Sequence, residues 1–61
     1  MFIELETLRN EKVTVNMDNV LFFAETKKGT IITFYDGMTE TVVNHYSWIK
    51  TQLSYHVKLM T

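Results

Sequence analysis

Residues 42–60 read VVNHYSWIKTQLSYHVKLM, and the fold turns on where the hydrophobic period changes within this stretch. From Ile49 onward, Ile49, Leu53, His56, Val57 and Met60 recur at spacings of three, four and one, which is one face of a helix. Before about residue 44, apolar residues come in short runs rich in β-branched and aromatic types, cut by turn formers. The change of period predicts an α+β fold. A small antiparallel β-meander of about five strands spans about residues 2–44, and one C-terminal helix spans about 47–59. Ser47 is the predicted N-cap, with Asn44 as the alternative. Ser47, Thr51, Ser54 and Lys58 line the side opposite the apolar stripe, and Lys58 suits the negative pole of the helix. A helix of about twelve residues does not hold in isolation, so it must dock on the sheet.

Working back toward the N-terminus, each strand has a local reason. Residues 2–8 place Ile3 and Leu5 on one face and Glu4 and Glu6 on the other. Arg9-Asn10-Glu11 is a polar break in which Asn10 best tolerates a positive φ. Val13 and Val15 then face one way, with Thr14 and Asn16 opposite, so the first two strands read as a hairpin. Asn16-Met17-Asp18-Asn19 holds three turn-forming side chains and predicts a tight corner. Val20-Leu21-Phe22-Phe23-Ala24 is an unbroken apolar run, the pattern of a strand covered on both faces. Lys27-Lys28-Gly29 is the next turn, with Gly29 as its permissive residue. Thr30 to Tyr35 is dense in β-formers. Asp36-Gly37 predicts a two-residue type I′ hairpin turn, after which Met38 to Val43 form the last strand of an open five-stranded sheet.

Composition bounds the function. A chain of 61 residues makes one small domain, and such domains bury only about 60% of their unfolded surface. Disulfides, metals or oligomerisation usually supplement them. There is no cysteine, and two histidines, His45 and His56, cannot by themselves close a structural zinc site. Oligomerisation or a partner is the remaining supplement, and a hydrophobic content of 46% with one Trp, three Tyr and four Phe fits it. Net charge is −1, whereas a dedicated nucleic-acid binder of this size is clearly basic. The first eleven residues are mildly acidic and residues 41–61 mildly basic, a polarity that a head-to-tail contact between copies could use. No stretch approaches a membrane span, and the N-terminus lacks the layout of a signal peptide. With no cysteine and no export signal, the expected location is cytoplasmic.

The motifs carry a resemblance. Leu5-x-x-Leu8 before a polar turn, then Val13-x-Val15-Asn16-x-Asp18-x-Val20, is similar to the FlbD-type small flagellar proteins. The similarity continues through Thr26, Thr30-Ile31-Ile32-Thr33-Phe34, Asp36-Gly37 and Val42-Val43, covering most of residues 3–49. It implies a β-meander with a short helix, an accessory or adaptor role in flagellar function and swarming, and no catalysis. Val13 to Leu53 also resembles part of a LytTR DNA-binding domain.

The residues themselves point to binding rather than reaction. No Ser-His-Asp order, phosphate loop or metal spacing is present, so no catalytic residue, metal ligand or cofactor is assigned. Asp18 and Asp36 have sufficient reason to be turn residues, and both histidines read as packing or surface residues. Lys27 and Lys28 form the basic pair and are the candidate anion contact, against the plainer reading of a soluble hairpin tip. Phe22, Phe23, Tyr35, Tyr46, Trp48 and Tyr55 are the candidate interface residues, since aromatic side chains anchor interfaces. For Tyr35, Tyr46, Trp48 and Tyr55, widening the core is the competing role. The expectation is a non-catalytic domain that self-associates or binds another protein, with edge-strand pairing as a natural mode. The alternative is a nucleic-acid or nucleotide binder of phage or mobile-element origin, using Lys27, Lys28, Lys50 and Lys58 beside tyrosines.

Overall fold

Strand β1 (Phe2–Glu6) and strand β2 (Lys12–Asn16) pair antiparallel, with Ile3 opposite Val15 and Leu5 opposite Val13. The computed structural model describes the backbone of residues 1–56 and the side chains of residues 1–54. Period-2 alternation places Ile3, Leu5 and Val15 in the core and leaves Glu4 exposed opposite Thr14. The hairpin closes through three residues, Leu8-Arg9-Asn10. Thr7 N donates to Glu11 O (2.8 Å) and Asn10 N to Thr7 O (3.0 Å). Asn10 takes φ 64, the expected left-handed position. Thr7 Oγ1 accepts from the amides of Arg9 and Glu11, both at 3.2 Å, and so organises the loop from inside.

The corner at 16–19 is a 3-10 turn, Met17–Asn19, whose first turn is capped by Asn16 Oδ1 accepting from Asp18 N at 3.1 Å. This corner redirects the chain away from β2. Strand β3 (Val20–Thr26), strand β4 (Gly29–Phe34) and strand β5 (Thr39–Val42) then form a second antiparallel sheet in the order β3-β4-β5. The five strands are therefore two sheets rather than one open sheet. They meet at a seam, where Thr7 bridges Val42 and Val43 N donates to Glu6 O at 2.8 Å.

The β4–β5 turn also departs from the sequence reading. Phe34 N donates to Met38 O and Gly37 N to Phe34 O, both at 2.9 Å, which closes a three-residue loop, Tyr35-Asp36-Gly37. Gly37 alone is left-handed, at φ 91. A two-residue type I′ turn needs two such positions, and the longer loop needs only one. The loop after β1 is built the same way, with Asn10 in the place of Gly37. Gly29 has a different reason to be glycine. A Cβ there would overlap Val42 O and lie 3.0 Å from Val43 Cα, because β5 passes directly over it.

Helix α1 (Tyr46–His56) packs on the β3 side of the second sheet. Its first backbone bond runs from Ile49 N to His45 O, so His45 holds the capping position. Neither predicted cap serves. Ser47 lies inside the first turn, and Asn44 Oδ1 is taken by Glu6 N at 2.9 Å across the seam. The predicted continuation to about 59, with Val57, Lys58 and Met60, falls outside the described residues.

The core is one cluster of Ile3, Leu5, Val15, Ile32, Val42 and Ile49, with Phe23, Phe34 and Leu53 among the half-buried residues packed on it. Two buried polar residues complete it. Thr30 Oγ1 donates to Asn44 O at 2.7 Å, while Thr7 holds the loop described above. The hydroxyls join strand ends to loops, and among the described residues no buried side-chain nitrogen or oxygen lacks a hydrogen-bond partner.

Candidate interaction surface

Among the strands, β3 alone contributes no buried residue to the core. It is also the longest strand, at seven residues, and the richest in large apolar side chains. The reason lies in its register. Val20 pairs with Phe34 and Phe22 with Thr33, so β3 spans two residues where β4 spans one. Leu21 is the extra residue of a β-bulge. Beyond the bulge, Phe23 pairs with the buried Ile32 and turns inward, while Phe22 turns outward. Leu21 is 50% exposed and Phe22 54% exposed. The apolar run 20–24 is thus covered on one face only, contrary to the expectation that both faces are covered.

Strand β3 is hydrogen-bonded to β4 on one side and forms the edge of its sheet. An edge of this kind offers backbone donors and acceptors to another chain. The outward face beside it carries Phe22, Ala24, Ile31 and Thr33, residues paired across β3 and β4.

The candidate aromatic residues divide among separate roles. Phe23 and Tyr46 face each other, with ring centroids 5.2 Å apart at 51°, and dock the helix. Lys50 Nζ lies 5.7 Å from the Tyr46 ring centroid, capping the same contact. These two aromatics belong to the fold. Phe22 remains outward. Trp48 is 42% exposed on the helix, next to the buried Ile49. Tyr35 is exposed at the tip of the β4–β5 loop. The side chain of Tyr55 lies outside the described residues. Sequence reasoning passed over Phe2, Leu8, Leu21 and Met38, all exposed. Nothing in an apolar run marks which residue will bulge, and Met38 reads as an ordinary strand residue after a turn.

Charge is placed at the two ends of β3. Lys27 and Lys28 are exposed at its C-terminal end, in a two-residue turn held by Thr26 Oγ1, which accepts from Lys28 N (3.2 Å) and Gly29 N (3.1 Å). At the other end, Asp18 lies 3.6 Å from the N-terminal amine, with its side chain 79% exposed. Tyr35 N donates to Asn19 O at 3.0 Å, which brings the β4–β5 loop alongside. Asn19, Phe34, Tyr35 and Asp36 line an open recess of about 310 Å³ there. Asp36 Oδ1 also accepts from Met38 N at 2.9 Å, the local turn role expected of it.

Among the described residues, no group of three His, Asp or Glu side chains is placed to hold a metal ion. No described helix is long and apolar enough to cross a membrane. No family model, curated protein or solved structure matches the chain.

Proposed function

We propose that this chain is a small non-catalytic interaction domain that self-associates through the β3 edge and the apolar side chains beside it. The observation that carries this reading is the mismatch at β3. The strand with the most large apolar residues is the strand that the core does not bury. Burying apolar surface contributes about 25 cal/mol per Å² removed from water. Leu21 and Phe22 leave that contribution unrealised in the single chain. A second copy supplies the missing strand and flanks the exposed side chains with its own, and antiparallel edge pairing is closed by two-fold symmetry. The adaptor role implied by the FlbD-type resemblance fits such a domain and rests on that resemblance alone.

Sedimentation equilibrium across a wide concentration range tests the reading. The expected result is a reversible dimer whose population rises with protein concentration. A clean monomer at the highest concentration overturns it.

A further inference from the structure

We propose that the dimer forms by antiparallel pairing of β3 with β3 of the second copy, and that each copy delivers its Lys27–Lys28 turn to the acidic recess of the other. The inference rests on the self-association read above and adds its geometry. Three observations converge on it.

The first is charge. Parallel pairing would set Lys27 and Lys28 against the same lysines of the partner. Antiparallel pairing inverts the strand, so the basic end of one copy meets the Asp18 end of the other. The proposed register places Phe23 on the two-fold axis. Phe22 then faces the small Ala24 of the second copy, and Asp18 falls opposite Lys28, or opposite Lys27 if the bulged Leu21 is skipped. Either count brings a lysine to Asp18, whose carboxylate also faces the Met1 amine at 3.6 Å, and by symmetry the contact is made twice.

The second observation is the recess itself. It opens at the end of β3 where the inverted lysine turn arrives, roughly 20 Å from its own Lys27–Lys28 turn at the usual strand rise. Its lining residues include what a lysine takes: Asp36, which carries a carboxylate, and the aromatic residues Phe34 and Tyr35. The third is the rigidity of the donor. Thr26 Oγ1 ties the lysine turn at two amides, so little backbone order is lost on docking.

A charge exchange tests the geometry. The K27E/K28E and D18K/D36K variants are prepared separately, checked for native circular dichroism, and then mixed in equal amounts. Each variant alone sets like charges together twice per dimer, and self-association is expected to weaken about tenfold or more. In the mixture every tip again meets a recess of opposite sign, and a one-to-one heterodimer is expected with affinity near that of the natural chain. If both variants dimerise as the natural chain does, the pairing is wrong while self-association stands, through another surface. If the variants are monomeric alone and remain so when mixed, the pairing is also overturned. A natural chain that is monomeric throughout removes the self-association reading and the pairing with it.

Discussion

Strands β1 and β3 are both apolar-rich, yet they treat their side chains in opposite ways. In β1, Ile3 and Leu5 alternate with Glu4 and Glu6, and the alternation agrees with one buried face, with Phe2 at the start of the strand left 67% exposed on the other. In β3 the apolar residues are consecutive, so the strand must expose some of them whichever face it turns inward. The bulge at Leu21 settles which ones, and the result is an outward pair, Leu21 and Phe22, beside an unpaired edge. The lesson is that a pattern with period 2 describes a single-chain fold, whereas an uninterrupted run leaves surface for something beyond it.

Substitutions at three positions press on this contrast. The largest effect belongs to β1. Leu5 is 1% exposed at the centre of the cluster, and Leu5→Ala should cost about 2–5 kcal/mol in a denaturant titration, through lost burial and the cavity left behind. A cost near zero would mean that the hairpin does not supply the core. The β1–β2 loop comes next. Asn10→Ala keeps the loop but places a Cβ at φ 64, at an expected cost of about 1–2 kcal/mol, whereas Asn10→Gly should be close to neutral. Similar losses for both variants would remove the backbone argument. The smallest effect belongs to β3. Phe22→Thr, measured where the chain is monomeric, should change stability by no more than about 0.5 kcal/mol. The same variant should weaken self-association measurably. If Phe22→Thr destabilises the monomer as much as Leu5→Ala does, β3 is an ordinary core strand and the contrast collapses.

Much of the architecture was legible from local chemistry. The hairpin faces of β1 and β2, the left-handed Asn10, the Asn16-capped corner, the lysine turn before Gly29 and the helix bearing Ile49 follow from residue type and spacing. These features depend on neighbours within four residues, which is the reach of a sequence pattern. The misreadings are equally instructive. Asp36-Gly37 looked like a two-residue turn because the dipeptide does not reveal that Tyr35 joins the loop. Asn44 looked like an alternative cap because the competing partner of its side chain, the amide of Glu6, lies 38 residues away in sequence. Of the candidate interface residues, Phe23 and Tyr46 proved to be partners of one another, a contact that spacing alone does not disclose.

The sequence by itself determined the kinds of element and their order, because hydrophobic period and turn chemistry are local quantities. It also determined that apolar residues would outnumber the places available to bury them. Only the tertiary structure decided where the excess went. Thr7, Thr30, Asn44 and Val42 join two sheets at one end, α1 covers the inward face of the second sheet through Phe23 and Tyr46, and the outward face of β3 receives no cover. That outcome depends on pairing between residues far apart in the chain. A single extra residue at Leu21 changes which side chains point outward, and no local pattern carries that information.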